Sequence, residues 1–204
     1  ILKNQQILSY GAGDENMKPT DVLKEEHQGV KLSLRILEQL CMKIHEGKPA
    51  EKEILISDFT KLLEFFKVFV DKCHHSKEED VLFPSLLDAG LPKQGGPIQV
   101  MLAEHDIGRK LVAEMTAALS DFKAGLPNAE KRLVHAADNY RELLKSHISK
   151  EDEVLYPMAD VRISAFVQQG MLEEFEDIEN EKIGQGAHEE FHNMLGEFKQ
   201  KYLG

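Results

Sequence analysis

The chain has 204 residues, 42% hydrophobic and 30% charged, which suits one buried core and allows one or two domains. Its formal net charge of -11 argues against nucleic acid or an anionic membrane surface as a partner. Its two cysteines, Cys41 and Cys73, form no CxxC pair and fit a reducing, cytoplasmic setting, and no apolar run of about 18 residues is present to span a membrane.

Residues 1–17 read as an N-terminal tail or tag remnant. The first sixteen are rich in Gly, Asn and Gln, no signal peptide is apparent, and Met17 before KPTDVLKEEH is a candidate native start. A first helix is predicted over about 20–46. Pro19-Thr20-Asp21 supplies its start, and Leu23, His27, Val30, Leu34, Leu37 and Cys41 recur at steps of three and four. Gly47 and Pro49 close it. A second helix is predicted over about 51–88, with Leu55, Phe59, Leu62, Phe66, Phe69, Val70, Cys73 and Leu82 on its apolar face and a kink at Pro84. AGLPKQGGP is the next loop. A third helix follows over about 97–123 and a fourth over about 128–158, ending near Pro157. Two further helices are predicted in the remainder, split around Gly184 and Gly186.

An internal repeat organises this pattern. KEEH at 24–27 matches LAEH at 102–105, and HSKEEDVLFP matches HISKEDEVLYP when their prolines are aligned. The expected architecture is therefore all-α. Two similar αα-hairpins form an up-down antiparallel four-helix bundle over 18–158, and a C-terminal helical extension over 159–204 packs on it.

The repeat also selects residues. His74 and Glu78 lie one helical turn apart, and so do His147 and Glu151. His27 and His105 fall on the apolar stripes of the first and third helices. Four imidazoles and two carboxylates in an apolar core would be costly without cations to neutralise them. Two metal ions bridged by the carboxylates resolve that cost, and imidazole with carboxylate favours iron, manganese or zinc. The adjacent pair His75 and Glu79 is out of register with the repeat, because Ile148 stands where His75 would match, so both read as supporting or surface residues. His45 and His135 fall off the apolar stripes and read as solvated. Tyr140 and Cys73 read as packing.

With these motifs in view, the chain resembles the hemerythrin-like, HHE cation-binding domain. The resemblance rests on the EH pairs of the first and third helices and the H-xxx-E…VL[FY]P segments of the second and fourth. It implies two non-haem iron ions bridged by Glu78 and Glu151 and held by His27, His74, His105 and His147, with manganese or zinc less favoured. Hemerythrin proper has a further histidine one turn along the third helix, where this chain has Arg109. That substitution leaves about two coordination positions open rather than one. His188, on the apolar stripe of the last helix with His192 at its edge, is a possible additional ligand. Three functions are consistent with such a centre. It could bind or sense dioxygen or a related diatomic, act as an enzyme that reduces peroxide or nitric oxide or repairs metal centres, or store, deliver or sense iron.

Overall fold

The computed structural model of the protein describes residues 17–184 and 186–204, so the expected tail lies outside the described residues except for Met17. Among the described residues the structure is all-α, with no strand. Helix α1 is Pro19–Glu46. Helix α2 runs from Lys52–Phe65 through two π-helical stretches, Phe66–His75 and Lys77–Leu82, into Phe83–Asp88. Helix α3 is Pro97–Lys123. Helix α4 runs from Ala129–Lys150 through a π turn, Glu151–Leu155, into Tyr156–Arg162. Helices α5 (Ala165–Lys182) and α6 (Ala187–Leu203) complete the chain. No helix among the described residues is long and apolar enough to cross a membrane.

The ends follow local chemistry. Pro19 opens α1, the Lys18 backbone N–H donates to the Asp21 carboxylate at 3.1 Å, and Gly47 closes the helix at φ 65°, where a Cβ would be strained. The helix runs past Pro84 to Asp88 as expected, but α4 differs from expectation in continuing past Pro157 to Arg162. In both repeats the turn before the proline is widened. The Phe83 N–H bonds the Glu78 carbonyl and the Tyr156 N–H bonds the Glu151 carbonyl, each a step of five residues. Proline removes one N–H from the ladder and crowds the carbonyl four residues back. A π turn shifts the bonding register just there, so the helix passes the proline without stopping.

Helices α1 to α4 each cross two apolar layers. One holds Leu23, Leu82, Met101 and Leu155; the other holds Val30, Val70, Leu111 and Leu144. Helices α1 and α3 run from the first layer to the second, and α2 and α4 return. In every case a polar segment lies between: His27, His74 to Glu78, His105, and His147 to Glu151. Helix α5 adds Met171 and Phe175 to the first layer, and α6 adds Leu195, Phe198 and Tyr202 to the second. Burying these stripes drives assembly, at roughly 25 cal/mol per Å² of apolar surface.

Candidate metal centre

All six residues singled out by the repeat are brought together in the polar layer, and none is more than 2% exposed. The Nε2 atoms of His27 and His74 are 3.2 Å apart, and those of His105 and His147 are 3.1 Å apart. The carboxylates sit among them. Glu151 lies 3.3 Å from His27 Nε2 and 3.0 Å from His147 Nε2, and Glu78 lies 3.3 Å from His105 Nε2. Each carboxylate residue also begins a π turn, a geometry that recurs at functional sites.

Around this core the repeat builds an outer ring. Each of the four imidazoles donates Nδ1–H to a carboxylate: His27 to Asp152 at 2.7 Å, His74 to Glu26 at 2.8 Å, His105 to Glu79 at 2.6 Å and His147 to Glu104 at 2.9 Å. Each carboxylate is in turn held by a cation: Lys31 on Asp152, Lys77 on Glu26, Arg109 on Glu79 and Lys150 on Glu104. This pattern fixes the tautomer, leaves every Nε2 facing inward and strengthens it as a donor. The expectation for Glu79 is thereby refined, because its carboxylate holds His105. Arg109 stands on Glu79 as Lys31, its partner in the repeat, stands on Asp152.

His75 departs from its expected place. It is 5% exposed and stacks on His105 with ring centroids 3.8 Å apart at 14°. One nitrogen or oxygen from each of His75, Glu78, His105 and His147 falls in a group within 4.8 Å, and His27, His74 and Glu151 form a second such group. The cause is the π winding over Phe66–His75. An i→i+5 turn holds more residues than an α turn, so each advances by less than the usual angle of about 100°. His74 and His75, which α periodicity would point apart, both reach the polar layer. His188 is not in either group; its Nδ1 donates to Glu179 at 2.8 Å and its ring meets Phe69 edge-on. His192 is only partly buried, and His45 and His135 are at the surface. Tyr140 packs on Phe66, and burial pushes the Cys73 thiol up to about 12, which keeps it inert.

The charges of the layer favour a cation. Burial pulls the His27 pKa down, but Asp152 and Glu151 outweigh it and raise it to about 9. His105 is opposed by burial in the same way and raised to about 9 by Glu78 and Glu79. Burial and the His105 charge lower His75 to about 3, so it stays a neutral imidazole. Glu78 Oε2 and both carboxylate oxygens of Glu151 are buried and meet no hydrogen-bond donor other than the imidazole Nε2 atoms that face them. The Tyr156 hydroxyl, stacked over His27, donates to the remaining Glu78 oxygen at 2.7 Å. Bare carboxylate oxygens facing imidazole Nε2 atoms are what a cation would satisfy, and the residues present fit one. Imidazole and carboxylate together suit a transition metal rather than calcium or magnesium.

The family profile described as Hemerythrin HHE cation binding domain matches residues 18–159. The chain belongs to the hemerythrin HHE cation-binding family. Among relatives, an uncharacterized protein of Mycobacterium tuberculosis is 28% identical over 124 residues, covering 61% of this chain and 48% of that protein. The iron-sulfur cluster repair protein YtfE of Yersinia pseudotuberculosis is 29% identical over 139 residues, covering 66% of this chain and 60% of that one. YtfE of Yersinia pestis matches over the same lengths. The aligned part is thus about half of the mycobacterial relative and three-fifths of the YtfE proteins. No solved structure matches.

This HHE domain also contains a fully buried lysine. Lys77 Nζ donates to Glu26 at 2.5 Å and to Glu179 of α5 at 3.1 Å, and lies over the Phe175 ring. Burial opposes its charge, but Glu26 and Glu179 hold its pKa above the usual lysine range. Lys77→Met would leave the buried Glu26 carboxylate facing the partly buried one of Glu179. It is expected to destabilise the protein by about 3 kcal/mol, read as a lowered midpoint in denaturant with an unchanged slope. An unchanged midpoint would contradict the charge balance described.

Proposed function

We propose that the chain is a non-haem di-iron protein whose carboxylate-bridged centre binds or senses dioxygen or a related small molecule. In this reading residues 18–158 are an up-down four-helix bundle and 159–204 an extension packed on it, in a reducing cytoplasmic setting. His27 and His74 would hold one iron. His75, His105 and His147 would hold the other, with Glu78 and Glu151 shared between the two. Manganese and zinc are less favoured occupants. His75 takes the role that Arg109 cannot fill, so five imidazoles leave about one open position, beside His27 and His74.

The observation that carries this reading is the buried layer itself: five imidazoles converge with two carboxylates, three of whose oxygens meet no hydrogen-bond donor other than those imidazoles. Two irons so held would supply electrons and an open coordination position. The chain's own residues do the rest. Asp152, Glu26, Glu79 and Glu104 hold the imidazoles in register. Tyr156 places a hydroxyl 3.4 Å from His27 Nε2, at the less crowded side. Leu23, Leu82, Phe83 and Leu155 close the layer against water. A second reading, repair of iron-sulfur clusters at the same centre, is favoured by the YtfE relatives.

Iron analysis with an optical spectrum before and after dioxygen or peroxide tests the proposal. Two irons per chain, with charge-transfer bands in the near ultraviolet, are expected. A stable dioxygen adduct favours binding, and rapid peroxide consumption favours an enzyme. His75→Ala is expected to lower the iron content, whereas His188→Ala keeps it at saturating iron. Zinc alone, or unchanged metal content in His74→Ala and His147→Ala, would overturn the reading.

A further inference from the structure

We propose that the C-terminal helices act on the metal centre electrically: Glu179 of α5 is a positioning residue that sets the donor strength of His74 through Lys77 and Glu26. The inference rests on the di-iron reading and concerns residues beyond 159, where the family match ends. A continuous chain of polar contacts, buried at its inner end, carries it. His74 Nδ1–H donates to Glu26 Oε2 at 2.8 Å, Lys77 Nζ donates to Glu26 Oε1 at 2.5 Å and to Glu179 Oε2 at 3.1 Å, and His188 Nδ1 of α6 donates to Glu179 Oε1 at 2.8 Å. His74, Lys77 and Glu26 are at most 2% exposed and the Glu179 side chain is 21% exposed, so water reaches only the outer end of the chain.

The other half of the repeat supplies the comparison. His147 has the same Glu104 and Lys150 behind it, but the Lys150 side chain is 38% exposed, and water disperses its charge. Lys77 has no such outlet. Glu26 and Glu179 are the carboxylates that face its positive charge. The more of it Glu26 must balance, the less that carboxylate draws on the His74 Nδ1–H, and the weaker Nε2 becomes as a donor. Helix α5 therefore supplies the carboxylate that solvent replaces in the second hairpin.

The test uses the full, iron-loaded chain and reads affinity by competition with a chelator and the midpoint potential of the bound metal. Glu179→Gln is expected to lower affinity by about tenfold and to make the potential more positive. Exposed Glu176→Gln on the same helix is expected to change neither. Glu179→Gln should have no further effect in a Glu26→Gln background. Adding Lys77→Met to Glu179→Gln should restore affinity, because it removes the charge that burdens Glu26; a merely structural role for Glu179 would not be rescued this way. Unchanged affinity and potential in Glu179→Gln, with only a lower melting temperature, would overturn the inference. So would a full effect persisting without Glu26. A wild-type chain that binds no iron would instead overturn the di-iron reading itself.

Discussion

Replacing Glu78 and Glu151 together by glutamine is expected to abolish metal binding while leaving the metal-free protein no less stable above pH 9, where His27 and His105 have given up the protons that these carboxylates hold. The two carboxylates are fully buried, and three of their four oxygens meet no hydrogen-bond donor other than the imidazoles facing them. Such a group costs roughly 1–3 kcal/mol in a protein interior, more when charged. Glutamine keeps the shape and the acceptor that Tyr156 uses, and it removes the charge. Without carboxylates the layer offers only imidazoles, so affinity for iron should fall by on the order of a thousandfold or more. Iron content after dialysis checks the first half, and thermal unfolding in chelator above pH 9 checks the second. Retention of two irons by the double variant would end the bridging assignment. A large drop in metal-free stability above pH 9 would mean that the carboxylates serve the fold rather than a cation.

The legible part of this site was the part written twice. His27, Glu26, His74, Lys77, Glu78 and Glu79 have partners in His105, Glu104, His147, Lys150, Glu151 and Asp152, and the repeat pointed to the six inner residues from spacing alone. The outer ring stood in the same repeat and was not read, because a Glu beside a His looks like solvated surface until its direction is known. His75 has no partner in the repeat, since Ile148 occupies the matching place. Its signal was a complementary count: one histidine missing at Arg109 and one surplus beside His74. What hid it was winding. Periodicity arguments assume about 100° per residue, and the π stretch over Phe66–His75 departs from that step. The run past Pro157 was missed for the same reason, because proline ends an α ladder but is accommodated after a widened turn. Glu179 and His188 reach the layer only through tertiary packing of α5 and α6, which no local pattern encodes.

The metal-free protein is expected to lose stability as pH rises from about 6.5 to 9, and the iron-loaded protein is not. His27 and His105 have folded pKa values of about 9, raised by the carboxylates around them, against about 6.5 in an unfolded chain. A raised folded pKa means that the proton is bound more tightly in the native state. The stabilisation is then fully present below 6.5 and is lost as pH climbs through 9. Each imidazole so held contributes roughly 3 kcal/mol, and because both lean on the same two carboxylates their joint effect should be about 3–6 kcal/mol. His147 is raised as well and adds in the same direction. His75 acts oppositely: burial lowers it to about 3, so its contribution is present above 6.5 and is lost as pH falls. Metal-free stability should therefore peak near 6.5. Iron takes the place of the protons, so its binding must release them, and the release should shrink above pH 9. Melting temperatures from pH 6 to 10, with chelator and with iron, check the first claim; calorimetry in two buffers of different ionisation heat checks the second. In Glu78→Gln, Glu151→Gln the alkaline loss should shrink, because two of the carboxylates that hold those protons are gone while Asp152 and Glu79 remain on His27 and His105. A metal-free melting curve that stays flat between 6.5 and 9 would mean that the buried imidazoles are neutral already, and that the carboxylates are balanced by something other than the histidines facing them.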